Sequence, residues 1–235
     1  MVLDVRLGAA AALVPKGARL ADIGSDHAYL PISLCLDGKI DCALASDINE
    51  GPVAAAVANI KKNRLCDKIE AIRADGLDGA RDFAPDCITV LGMGGELIVS
   101  ILDRAEWIRD ENITLILQPM THPEVLSRYL AKNGFETVDE TIVRDGGRDD
   151  RIYRIISARY TGNFIDVSEV EALVGKKNID RLDEVTRAYI ERLIRIYSVR
   201  AEGKEGADQD VSAEKNIIKE LSEILERKNE GDRSL

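Results

Sequence analysis

Short apolar runs alternate with stretches of helical spacing through the first 160 residues. The runs are Arg19–Ile23, Cys42–Ser46, Lys68–Arg73, Cys87–Leu91, Ile113–Leu117, Phe135–Val143 and Ile152–Ala158. Helix-periodic stretches fall between the earlier ones at Leu30–Leu36, Pro52–Lys62, Glu96–Arg104 and Pro123–Lys132. Strand, crossover helix and strand in this rhythm predict an α/β fold with a doubly wound, mostly parallel sheet. The last two runs lack a helix between them. Arg144-Asp145-Gly146-Gly147-Arg148-Asp149-Asp150 is a turn signal there, so an antiparallel hairpin is expected.

Beyond Tyr160 the pattern changes: glycine thins and charge becomes dense. Leu182, Val185, Tyr189, Leu193 and Ile196 fall on one helical face, and Ile217, Leu221, Ile224 and Leu225 on another. Ser212 is a candidate cap for the second helix, and Ala201–Val211 reads as the polar loop between them. Two domains are therefore expected, residues 1–160 and residues 161–235, the second an α-helical hairpin or small coiled coil. Residues 227–235 are expected to fray.

Composition narrows the function classes. Apolar residues make up 45% and charged residues 31% of the chain, as in an ordinary soluble globular protein. No apolar run is long enough to span a membrane, and the apolar stretch Leu7–Val14 is too short for a secretory signal and leads towards the first strand. Cys35, Cys42, Cys66 and Cys87 lack metal-binding spacing and read as buried reduced thiols, with no metal expected. A net charge of −10 argues against a uniformly basic nucleic-acid binder. Residues 176–200 are the exception, with seven Lys/Arg against four acids, a local net of +3.

The chemistry concentrates at strand ends. Asp22-Ile23-Gly24-Ser25-Asp26-His27 begins like a nucleotide-cofactor loop, but Asp26 stands where the second glycine of the Gly-x-Gly-x-x-Gly fingerprint would be. A carboxylate there repels a pyrophosphate. It is compatible with a ligand that carries a positive centre and no phosphates, as S-adenosylmethionine does. Asp47 ends the second run 25 positions after Asp22, where an acid suits ribose hydroxyls; capping of the following helix is the plainer role. Asp75 ends the third run and is placed to reach an adenine amino group, or simply to make an Asp-Gly turn. Gly92-Met93-Gly94-Gly95 follows the fourth run, where backbone can approach a ligand closely. After the fifth run, Gln118 is a candidate hydrogen-bonding partner for a base. His122 reads as a helix cap and His27 as a structural residue of the first loop.

Taken in order, Asp22 to Pro31, Ser46-Asp47-Ile48-Asn49-Glu50-Gly51-Pro52, Asp75-Gly76-Leu77, Gly92-Met93-Gly94-Gly95 and Leu115-Ile116-Leu117-Gln118-Pro119 resemble TrmK, the bacterial tRNA (adenine(22)-N1)-methyltransferase family. The resemblance covers roughly residues 4–160. It implies a Rossmann-like class I methyltransferase domain with a mostly parallel seven-stranded sheet, and a C-terminal coiled coil that helps to hold tRNA. It implies S-adenosyl-L-methionine as cofactor, held by Asp22, Gly24, Asp47, Ile48, Asp75, Gly76, Gly92, Met93 and Gly94. Asp26 and Tyr29 would lie at the target adenine as catalytic residues. Arg6, Gln118, Arg192 and Arg195 would serve the tRNA, with Arg6 also near the cofactor. A cytoplasmic monomer without membrane contact is expected. Three departures stand out: Met120 replaces the family's usual Asn, Ala74 replaces a Gly, and the Asp145–Arg151 loop is longer than the usual turn. Two further readings are a class I methyltransferase for another RNA or a small molecule, and a cofactor-binding module without activity.

Overall fold

The computed structural model describes residues 2–147 and 150–227. Apart from the backbone of Arg227, the segment expected to fray lies outside the described residues, as do Arg148 and Asp149 of the hairpin turn. The chain divides into two compact units, Met1–Asp166 and Val167–Leu235.

The first unit is built on strands β1 (Arg19–Ile23), β2 (Cys42–Asp47), β3 (Ile69–Arg73), β4 (Cys87–Gly94), β5 (Thr114–Thr121), β6 (Phe135–Arg144) and β7 (Ile152–Tyr160). They form one seven-stranded sheet in the order β3-β2-β1-β4-β5-β7-β6. β1 to β5 pair in parallel, and β7 is antiparallel to both β5 and β6. This is the predicted mostly parallel sheet with its closing hairpin. The turn between β6 and β7 is held where Asp145 N–H donates to the Arg151 carbonyl at 2.7 Å.

Both faces of the sheet are covered, which is why its strands read as continuous apolar runs. Alternate strand residues feed opposite cores. Leu20, Cys87 and Ile116 pack with α1 (Val5–Leu13), α2 (Tyr29–Leu36) and α3 (Glu50–Lys62). Ala21, Ile88, Val90, Leu115 and Leu117 pack with α4 (Ala80–Phe83), α5 (Gly95–Asp103) and α6 (Pro123–Lys132).

Helix α1 was not foreseen as an element. Asp4 caps it by accepting the Leu7 N–H at 2.6 Å, and Ala10 is fully buried against the sheet. The helix stops at Val14, whose backbone is extended, as Pro15 after it requires. The cysteines depart from expectation as well. All four are free, but only Cys35 and Cys87 are buried; Cys42 is half-buried and Cys66 exposed.

The second unit is helical: α7 (Glu169–Val174), α8 (Lys176–Arg181), α9 (Glu184–Gly206) and α10 (Ser212–Arg227). Ser168 and Glu171 form a reciprocal capping box at the start of α7. Asp183 caps α9, accepting the Thr186 N–H and hydroxyl at 2.8 and 2.7 Å. Lys204–Glu214 and Lys215–Glu205 pair at one end of α9 and α10, and Arg187 donates to the Leu225 carbonyl at the other, so the two run antiparallel. The buried face of α9 is Thr186, Ile190, Leu193, Tyr197 and Ala201, offset from the predicted one. Leu182 is the left-handed C-cap of α8 (φ +44°), and Ile196 is exposed. The expected loop at Ala201–Val211 is shorter, because α9 continues through Gly203 to Gly206. Ser212 is the first helical residue rather than a hydroxyl cap: its N–H and its hydroxyl both donate to Asp210.

Candidate functional site

The carboxyl ends of the parallel strands collect the chemistry. β1 lies between β2 and β4, and the chain reverses its direction of travel across the sheet there. Such a switch point opens a crevice at the strand ends. Asp22 on β1, Asp47 on β2, Asp75 just beyond β3, Gly92–Gly94 at the end of β4 and Gln118 on β5 all stand at this edge.

Asp22 is the buried acid of the group, 6% exposed. Ser25 donates to Oδ2 and Thr89 to Oδ1, each at 2.6 Å. Burial pushes its carboxyl above the ordinary value, while the Ser25 and Thr89 hydroxyls and the charge of Arg6 pull it back down. Ser25 N–H also donates to the Ser46 carbonyl at 2.8 Å, which ties the loop to the end of β2. Gly24 takes φ +69°, and the tip of Met93 lies against it, where a Cβ would fall 2.1 Å from Met93 Cε. A side chain at position 24 would therefore be both strained and crowded.

After Gly24 the loop turns through two non-glycine residues in the left-handed region, His27 (φ 63°) and Ala28 (φ 55°). Ala28 is buried and its carbonyl accepts the Ile32 N–H, while Asn59 on α3 donates to the His27 carbonyl. This anchoring holds the strained pair. It leaves Asp26 with a side chain 70% exposed, its Oδ1 at 3.3 Å from His27 Nε2. The His27 ring stacks on Tyr29, with centroids 5.1 Å apart and planes at 18°. Tyr29 is 41% exposed. Asp26, His27 and Tyr29 are thus one contiguous group on the rim.

Asp47 Oδ1 accepts the Asn49 N–H at 2.8 Å, which shapes the turn into α3, and Ile48 is exposed beside it. Asp75 is engaged by Arg104 at the end of α5, Nη1 to Oδ2 and Nη2 to Oδ1, both at 3.0 Å. That contact holds its carboxyl below the ordinary value. The glycine segment belongs to the sheet. β4 runs through it to Gly94 with irregular register against β5, and Gly92 takes φ +80°. Gly95 serves packing: a Cβ there would lie 2.2 Å from the His122 carbonyl oxygen. His122 starts α6 in the left-handed conformation, its ring 3.2 Å from Glu124 and 3.9 Å from Glu96.

Gln118 is fully buried, and its amide is hydrogen-bonded within the protein. Its oxygen accepts from Arg6 Nη1 at 3.2 Å and from Gly92 N–H at 3.1 Å. Its nitrogen donates to the Pro119 carbonyl at 2.8 Å and contacts the Met120 sulfur at 3.5 Å. Gln118 thereby ties Arg6 to the backbone of Gly92. Thr89, Ser25 and Arg104 are residues the sequence reading missed. In the second unit, Arg192, Arg195 and Arg200 line a shallow groove of about 440 Å³ with Ile196 and Val199. Arg200 lies over the Tyr197 ring at 5.0 Å.

Residues 3–156 match the family model described as a methyltransferase domain. The structure superposes on the crystal structure of the Bacillus subtilis m1A22 tRNA methyltransferase TrmK with a TM-score of 0.79 and 30% identity, covering 96% of this chain and 98% of that one. The chain belongs to the TrmK family. A curated relative, the tRNA (adenine(22)-N(1))-methyltransferase of Bacillus subtilis (strain 168), is 38% identical over 146 residues. That match covers 62% of this chain and spans 61% of the relative's length. The TrmK of M. capricolum, solved in complex with S-adenosyl-homocysteine, gives a TM-score of 0.75 at 25% identity over 97% of this chain and 98% of that one. The TrmK fold accounts for the site's position at the β1/β4 switch point. Among the described residues no group of His, Cys, Asp or Glu is arranged to hold a metal ion, and no helix is long and apolar enough to cross a membrane.

Proposed function

We propose that this chain transfers a methyl group from S-adenosylmethionine to N1 of adenine 22 in tRNA. The observation that carries the reading is the buried Asp22 carboxylate beside Gly24 at the switch point. A crevice edged by Asp22, Asp26, Asp47 and Asp75 favours a ligand with an ammonium and a sulfonium over one with a pyrophosphate. The cofactor's sulfonium supplies an electrophilic methyl group.

The chain's own residues then have distinct tasks. Asp22 accepts the cofactor's ammonium, with Ser25 and Thr89 fixing the carboxylate. Asp47 and Ile48 meet the ribose, and Asp75 and Gly76 the adenine. Gly92, Met93 and Gly94 offer backbone and a soft side chain along the methionine portion. Adenine N1 carries a lone pair and no proton, so no base is required to make the nucleophile. Positive charge spreads to N6 as the bond forms, and Asp26 accepts a hydrogen bond from N6 and stabilises that charge in the transition state. Tyr29 offers its exposed ring surface for stacking. N1 lies on the Watson–Crick edge, so the base must be unpaired or turned out of its stack to react. Arg6 is held by Gln118 at the crevice edge, and Arg192 and Arg195 bind tRNA phosphates. A monomer acting in the cytoplasm, where tRNA is found, completes this reading.

The test is incubation with S-adenosylmethionine and unmodified bacterial tRNA, followed by nucleoside mass spectrometry. Formation of 1-methyladenosine is expected. Methylation at another nucleoside, or none, would reject the assignment.

A further inference from the structure

The Asp75–Arg104 pair is more specific than a surface ion pair needs to be. The guanidinium engages both carboxylate oxygens at 3.0 Å in the planar fork that arginine alone can offer. The two side chains are 51% and 48% exposed, so the contact adds little to stability. The local backbone is nevertheless shaped around it. Gly76 takes φ +59°, and a Cβ there would lie 3.1 Å from both Arg104 Nη2 and Ile101 Cγ2. The Asp75-Gly76 turn thus leaves room for the guanidinium beside the backbone. Arg104 itself stands at the C-cap of α5, where a cation is favoured.

A bidentate pair uses one lone pair on each oxygen and fixes the plane of the carboxylate. The other lone pairs keep one direction, and the acid stays an acceptor. We propose that Arg104 is a positioning residue for the methyl donor: it locks Asp75 so that the free lone pairs meet the exocyclic amine of the donor's adenine. The inference rests on the reading of Asp75 as the adenine contact. It makes Arg104 a determinant of specificity as well. A fixed, ionised acceptor attracts a 6-amino group and repels the oxygen of a 6-oxo purine, whereas a mobile carboxylate can turn aside from that oxygen and discriminates less.

The experiment uses the whole chain, with S-adenosylhomocysteine and its 6-oxo (inosine) counterpart as probes in equilibrium titrations. Arg104→Gln should weaken the 6-amino ligand about tenfold and shrink the preference over the 6-oxo ligand. It should raise KM for S-adenosylmethionine while kcat at saturation stays within about twofold. Arg104→Lys, which keeps the charge but not the fork, should fall between Arg104→Gln and the parent. Melting temperatures near the parent's would separate this from a folding defect. Asp75→Asn is the companion variant. If it loses affinity and preference while Arg104→Gln keeps both, the role of Arg104 is overturned and that of Asp75 stands. If Asp75→Asn keeps both, the Asp75 contact is wrong and the inference falls with it.

Discussion

At the scale of single residues, two acids in one loop do opposite work. Asp26 is exposed, and among the described residues its side chain pairs only with His27, so removing it disturbs little packing. Asp26→Ala should leave cofactor affinity within about twofold and lower kcat by about 10²- to 10³-fold. Near-normal turnover, measured under saturating tRNA, would remove Asp26 from the chemistry. Asp22 is the buried member, and burial raises its carboxyl above 3.8. A group raised in this way contributes stability fully below its unfolded value. That contribution is lost as the pH rises through the folded value, so at neutral pH the ionised side chain weighs against the free fold. Asp22→Asn should therefore raise the melting temperature of the free protein near pH 7 while weakening cofactor binding. Comparing thermal melts from pH 4 upward should show a shallower decline in the variant than in the parent. A variant less stable at neutral pH would contradict this account of Asp22. Much of this loop was legible from residue types alone. The environment of Asp22 was not, because Thr89 reaches it from a strand 67 positions away in the chain.

At the scale of elements, the parallel strands were the plainest to read, since burial on both faces makes each a compact apolar run. Helix α1 was hidden because its Ala-rich stretch shows no alternation of apolar and polar faces, although Asp4 was there to cap it. Ser168 and Glu171 spell the capping box of α7, a signal overlooked in a charge-dense region. The predicted face of α9 slipped because Leu182 was counted into a helix that begins only after Asp183. That slip has a functional consequence. Ile196 belongs with Val199 and three arginines on an exposed groove, not in a core. Changing Arg192 and Arg195 together to Glu should weaken tRNA binding about tenfold or more at low salt. It should also reduce the slope of log affinity against log salt by about 2. An unchanged slope in filter-binding titrations would return this groove to ordinary solvated surface. The β4–α5 junction makes a separate prediction. Gly95→Ala places a methyl against the His122 carbonyl, a backbone atom that cannot rotate away. A loss of about 1–3 kcal/mol in denaturant unfolding is expected, and an unchanged midpoint would show that the turn can yield.

At the scale of the whole molecule, the proposed substrate is a polyanion, while the chain carries a net charge of −10. Long-range electrostatics oppose that encounter, so affinity has to come from local clusters of arginine and from shape. The mostly parallel sheet, its antiparallel closing hairpin and the helical second unit were all readable from periodicity. The chemistry of the sheet was legible too, in the Asp22–Pro31 loop and the order of the strand-end motifs. What the sequence could not give is the three-dimensional frame, in which Asp22, Asp47, Asp75 and the Gly92–Gly94 segment share one edge. Selection of one adenine among many in a folded tRNA is the most demanding consequence of the proposed function. Two tRNA transcripts that differ only in A22 against G22 test it directly. With methyl-labelled S-adenosylmethionine, the A22 transcript should take up close to one methyl group per molecule, recovered as 1-methyladenosine, and the G22 transcript none. Equal labelling of both transcripts would contradict the account.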